Sequence, residues 1–182
     1  MMYWLRSKCK KLIKTMIVLV ILAGAVFLFT KVFRIVHIRG NSMQPGLSDG
    51  DYVLVNCLKE AEWGDIVVID SDSFENESVI KRVIGMEGDT LKIKKGTLLR
   101  NGEKLEEPYR EKEFTEDMKE RTVGEGCIFV IGDNSAHSYD SRKVGDIPVE
   151  DVYGVVIFQF GGHRLGETVS HRIKKLREEG MP

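Results

Sequence analysis

No aspartate or glutamate precedes Asp49 in this 182-residue chain, whereas eight basic residues do: Arg6, Lys8, Lys10, Lys11, Lys14, Lys31, Arg34 and Arg39. Of the 27 basic residues, 19 remain beyond that point, against all 28 acidic ones, so a net charge of −1 hides a basic start and an acidic body. An acidic body argues against a nucleic-acid binder, which would carry its positive surface on the globular part. It fits a membrane-proximal basic end joined to a soluble domain. Cysteine is scarce. Cys9, Cys57 and Cys127 form no C-x-x-C pair and no metal-ligand spacing, which argues against zinc. The sequence favours free thiols and leaves a Cys57–Cys127 bridge open. Nothing implies a metal or organic cofactor. Long amphipathic helical periods are also missing before residue 165, which argues against an α/β nucleotide fold. Charged residues are 30% of the chain, too many for a multi-span membrane protein.

One apolar run is present. Residues 15–30 carry no charge, and Leu12, Ile13, Val32 and Phe33 extend them to the roughly 20 residues that a spanning helix needs. A cleavable leader would place small residues after its apolar run. Here Ala23, Gly24 and Ala25 fall in the middle, so the segment reads as an uncleaved anchor. Five Lys/Arg before it against three after it orient the N-terminus to the cytoplasm and the body outside. The expected organisation is a cytoplasmic start at 1–14, a transmembrane segment at 15–33, an extracytoplasmic body at 34–163 and a basic tail at 164–182. Beyond the anchor, β-type runs dominate at 35–39, 52–55, 66–69, 79–84, 90–93, 97–100, 128–131 and 152–158. Residues 105–126 are highly charged and aperiodic, and read as an exposed excursion, with an insertion at about 88–126. In the tail, Val169, Ile173 and Leu176 share one face of a basic amphipathic helix, suited to docking on the body or to anionic lipid.

Three segments carry residues suited to chemistry. Ser42 lies in Gly40-Asn41-Ser42-Met43-Gln44-Pro45-Gly46, where a short strand gives way to a turn; alone, a serine there is a turn residue. Lys81 sits among β-branched neighbours in Val79-Ile80-Lys81-Arg82-Val83-Ile84-Gly85. If its face is buried, desolvation lowers the amine's pKa and makes it a usable base for a hydroxyl. Gly132-Asp133-Asn134 leads into a polar loop with Ser138, Asp140, Ser141 and Arg142, whose simplest reading is a turn held by an Asp–Arg pair.

Together, in order, these segments resemble the prokaryotic type I signal peptidases. Ser42-Met43-Gln44-Pro45 matches that family's Ser-Met-x-Pro box. Gly64-Asp65-Ile66-Val67-Val68 matches the next, Lys81-Arg82-Val83-Ile84-Gly85 the lysine box, and the Gly132-Asp133-Asn134 … Ser138-Tyr139-Asp140-Ser141-Arg142 stretch the last. The resemblance covers the anchor and residues 36–160. It implies an all-β fold of coiled antiparallel sheets with a small β insertion behind one transmembrane helix. It also implies a membrane-bound endopeptidase that removes signal peptides after small residues through an acyl-enzyme. Ser42 would be the nucleophile, Lys81 the base, Ser138 the group orienting the amine, Asp140 and Arg142 a bracing pair, and Met43 a wall of the substrate pocket. Partners would be exported pre-proteins and membrane lipid, not nucleic acid.

Departures from the family pattern are Gly46 for the usual Thr, Ser135 and His137 for Arg and Asn, and Glu87 for Pro. Many relatives place a hydroxyl two residues before the nucleophile. Here Gly40 stands there, so Gly40→Ser is expected to be tolerated or mildly activating. A triad through a histidine would need His37, His137, His163 or His171 beside Ser42; His137, within the last box, is the one to test. The alternatives are a non-catalytic tethered domain, or a self-cleaving Ser–Lys protease, against which the anchor counts.

Overall fold

The computed structural model describes residues 2–74, 77–110 and 113–160, with side chains from residue 11 onward. The chain divides into two units, 1–34 and 35–182. The first is a helix, α1 (Met2–Val32). Its stretch Lys11–Val32, 22 residues and about 33 Å at 1.5 Å per residue, is long and apolar enough to cross a membrane. Leu19, Val20, Phe27 and Leu28 are more than half exposed on it.

The second unit is built from antiparallel strands. A seven-stranded sheet has the order β1-β2-β11-β3-β4-β9-β10, with β1 Phe33–His37, β2 Tyr52–Asn56, β3 Ile66–Asp70, β4 Ser78–Met86, β9 Cys127–Ile131, β10 Ile147–Pro148 and β11 Val152–Phe160. A four-stranded sheet, in the order β7-β6-β5-β8, comprises β5 Thr90–Lys94, β6 Thr97–Arg100, β7 Glu103–Lys104 and β8 Met118–Thr122. The β-branched runs become strands because they bury one or both faces: Val53, Val55, Val67 and Ile69 are fully buried. Lys95 and Asn101 adopt positive φ (50° and 54°) in the two turns that the Lys95-Gly96 and Asn101-Gly102 pairs mark.

The charged stretch 105–126 departs from expectation. It contributes strand β8, paired to β5, and buries Leu105, Tyr109, Phe114 and Val123. These pack with Ile84 of β4 and with Phe129 and Ile131 of β9 in one continuous core. The insertion is thus fused to the main sheet by shared apolar burial. Its apolar residues are spaced irregularly because loop as well as strand supplies them, which is why periodicity does not reveal them. Cys57 and Cys127 are free thiols. The amphipathic tail expected at 164–182 lies outside the described residues, as do His163 and His171.

Candidate active site

The Ser42 segment is a closed loop. Ile38 and the Asp51–Gly50 end pair through Ile38 N–H to Asp51 O (2.8 Å) and Gly50 N–H to Ile38 O (3.0 Å). Met43 and Leu47 plug the loop into a core with Ile38, Val53, Val55 and Val68. Met43 is 2% exposed. Its side chain packs in this core and gives the loop an apolar anchor beside the serine it presents.

Lys81 lies in the middle of β4, opposite Val67 of β3. It is buried, and its Nζ donates to Ser42 Oγ at 3.2 Å and to the Ile80 carbonyl at 3.0 Å. Burial lowers its pKa from the ordinary 10.5 to about 8, with the Asp140 carboxylate pulling the other way. With the amine neutral, the same contact lets the hydroxyl donate to nitrogen, which is the geometry of proton abstraction.

The polar loop closes over this pair. Gly132 is the point of convergence: a Cβ there would lie 2.4 Å from Ser138 Oγ and 2.5 Å from Ser42 O. Only glycine allows the two segments to approach so closely. Asn134 N–H donates to Ser42 O (2.9 Å), and its side-chain amide to Asn41 O (3.1 Å). Asp140, fully buried, accepts from Gly132 N–H (3.1 Å) and from Arg142 Nε (2.8 Å) and Nη2 (2.9 Å). Arg142 Nη2 also donates to Ser135 O and Ser138 O, so the Asp140–Arg142 pair gathers both ends of the loop. Ser138 Oγ is buried beside this junction with no hydrogen-bond partner. The expected bond to the Lys81 amine is not formed; Nζ donates to Ser42 and Ile80 instead.

Sequence reasoning missed a second ion pair. Arg82, next to Lys81, forks onto Asp133 through Nε (2.8 Å) and Nη2 (2.6 Å) and reaches the Gly64 carbonyl through Nη1. Burial is the largest influence on this guanidinium and disfavours its charge. The charge and hydrogen bonds of Asp133, with Tyr109 and Asp65, outweigh it, and the net direction is upward. Both residues stand in the boxes quoted above, and adjacency to Lys81 and Asn134 was the available signal. His137 is exposed and meets Asn134 Oδ1 at 3.4 Å; His37 stacks on Tyr52. Among the described residues no group of His, Cys, Asp and Glu is arranged to hold a metal ion.

Gly40 has φ +84°, and its N–H donates to Asp49 Oδ1 at 2.7 Å. A Cβ there meets nothing within 4 Å, so space is not the obstacle; the left-handed backbone is. The structure therefore corrects the expectation for Gly40→Ser. The variant should lose about 1 kcal/mol of stability, read by denaturant melting, with kcat/KM lowered less than about tenfold. A rise in kcat/KM would show that the backbone relaxes and the new hydroxyl works as an oxyanion donor.

A serine hydroxyl set against a buried lysine amine, in an antiparallel β body, is an arrangement of the serine peptidases. Residues 9–160 match the family model described as signal peptidase, peptidase S26. Signal peptidase I U of Bacillus subtilis is 37% identical over 182 aligned residues, covering 86% of this chain and 94% of its own. Signal peptidase I of Bacillus licheniformis is 39% identical, covering 81% and 86%. Signal peptidase IB of Staphylococcus aureus is 34% identical, covering 68% and 75%. A solved signal peptidase I from Enterococcus faecalis V583 superposes with a TM-score of 0.49 at 32% identity, over 54% of this chain and 98% of that one. The chain belongs to the signal peptidase family, peptidase S26, and is a serine peptidase.

Proposed function

We propose that this chain is a membrane-anchored endopeptidase that removes N-terminal signal peptides from exported pre-proteins, with Ser42 as nucleophile and Lys81 as general base. The observation that carries this reading is the 3.2 Å contact between Ser42 Oγ and the buried Lys81 Nζ. Neutral Lys81 takes the hydroxyl proton as Oγ attacks the scissile carbonyl. The oxyanion is met by the N–H of Ser42. The lysine ammonium then gives its proton to the leaving amine, and an acyl-enzyme remains. Water, deprotonated by the same amine, attacks the ester and frees Ser42. Ser138 Oγ, buried and unpartnered on the same glycine as Ser42, is the acceptor we assign to the ammonium while it exists. The substrate binds extended, adding main-chain hydrogen bonds to a sheet edge, and is cut after a small residue with another small residue two positions earlier.

The test is Ser42→Ala in the full chain. Cleavage of a pre-protein should fall to background, with the melting temperature within about 2 °C of the parent, since one hydroxyl is removed from a half-buried site. A folded Ser42→Ala that still cuts sinks the assignment. A parent chain that cuts nothing favours a tethered binding domain, and one that cuts only itself favours the self-cleaving reading.

For orientation, we infer a cytoplasmic N-terminus and an external body from the five-to-three excess of basic residues before the apolar stretch. Protease added to spheroplasts should digest the region beyond residue 40. Protection of that region, with an accessible N-terminus, reverses the orientation.

A further inference from the structure

The loop between β7 and β8 sends one arginine beneath the active site, and no role has yet been given to it. Arg110 is 4% exposed. Its Nε donates to Glu107 Oε1 at 2.9 Å, and the ring of Phe114 lies 4.1 Å from its guanidinium carbon. Held in this way, Nη1 donates to the carbonyls of Gly132 (3.3 Å) and Asp133 (3.1 Å). The Asp133 carbonyl belongs to the same planar peptide unit as the Asn134 N–H, and that N–H grips Ser42 O at 2.9 Å. Fixing one edge of a rigid plane fixes the other. A cation on the carbonyl also polarises the amide and strengthens the N–H as a donor. On the adjoining unit, Gly132 abuts both Ser42 O and Ser138 Oγ, leaving no slack in which the loop could drift.

We propose that Arg110 is a positioning residue for the peptidase reaction: it pins the 133–134 peptide so that the backbone of Ser42, and with it Oγ, stays on the Lys81 amine. Glu107 orients Arg110 for this task. Burial raises the pKa of Glu107, and the charge and hydrogen bond of Arg110 oppose that rise. The β insertion then does more than decorate the sheet. It carries a brace that reaches the nucleophile through a single peptide unit.

This inference rests on the Ser42/Lys81 reading, so Ser42→Ala is measured in the same assay. Full-length Arg110→Met and Arg110→Lys, in detergent, are assayed for steady-state cleavage of a peptide substrate, with melting temperature and circular dichroism as the folding check. Arg110→Met is expected to lose at least tenfold in kcat with KM within twofold, because the change acts on the nucleophile through the 133–134 peptide. Arg110→Lys, which restores one donor, should recover part of that loss. A purely structural role would instead lower the melting temperature without this split, and lysine would not rescue kcat. Should Arg110→Met fail to fold, Glu107→Gln decides, with an expected severalfold fall in kcat at unchanged KM. A folded Arg110→Met, or failing that a folded Glu107→Gln, with kcat within twofold of the parent overturns the proposal while an inactive Ser42→Ala leaves the dyad standing. An active Ser42→Ala removes the dyad and the brace together.

Discussion

Replacing Lys81 by alanine, arginine or methionine should abolish cleavage in a protein that still folds. The reaction needs a neutral amine. At an ordinary pKa of 10.5, about one lysine in three thousand is neutral at pH 7; at about 8, roughly one in ten is. Arginine keeps its charge at any working pH and cannot take a proton, so the nominally conservative change is as damaging as alanine. In the wild type, kcat/KM should climb with pH through about 8 as Lys81 loses its proton. Stability follows from the same depression. The native state carries a penalty of roughly 3 kcal/mol below pH 8, where the amine is charged in both folded and unfolded chains. That penalty fades as pH rises from about 8 towards 10.5. Lys81→Met removes it but also strands the Ile80 carbonyl, so it should be about 1–2 kcal/mol more stable than the parent at pH 7 and not at pH 10.5. A purified Lys81→Ala that cleaves a pre-protein at the parental rate would falsify the lysine as base and return His137 to consideration.

The largest effect on stability is expected from Asp133→Ala. Arg82 and Asp133 are 3% and 0% exposed at their side chains, and the guanidinium fork uses both carboxylate oxygens. Removing the carboxylate leaves a cation in the interior, facing the Tyr109 ring 4.2 Å away, with the Gly64 carbonyl as its hydrogen-bond partner and the Asp65 charge beyond. Breaking a buried pair from one side costs about 3–5 kcal/mol. For a body of this size that is a fall of roughly 10–20 °C in melting temperature. The double variant Arg82→Met with Asp133→Leu should regain much of the loss, because the pair's attraction largely offsets its own desolvation. Cleavage should remain impaired in it, since Asp133 also shapes the loop that holds Ser42. A single Asp133→Ala within about 1 kcal/mol of the parent would mean that water reaches Arg82.

Much of this protein was legible before any coordinates. A long apolar helix is visible because no charge interrupts residues 15–30, and a helix satisfies its own backbone hydrogen bonds wherever it lies. Eight of the strands are visible because β-branched residues bounded by Gly-Asp and Asn-Gly turns have few other ways to fold. Strands β7, β8 and β10 were not. Glu103–Lys104 and Ile147–Pro148 are too short to carry a pattern, and the charged Met118–Thr122 is a strand because β5 offers it partners. Ser42, Lys81, Asp140 and Arg142 could be named from their boxes. That Lys81 lies on a buried face could not, since alternation separates two faces without saying which is dry. The same holds for Glu107 and Arg110. Read along the chain they belong to a charged, solvated excursion. Folding buries them because Nε of Arg110 meets Glu107 and Nη1 meets two backbone carbonyls 22 and 23 residues away. Local sequence therefore determined eight of the strands, one long apolar helix, and which residues could do chemistry. Only the tertiary structure decided which charges leave water, because a charge stays buried only where partners from distant segments meet it.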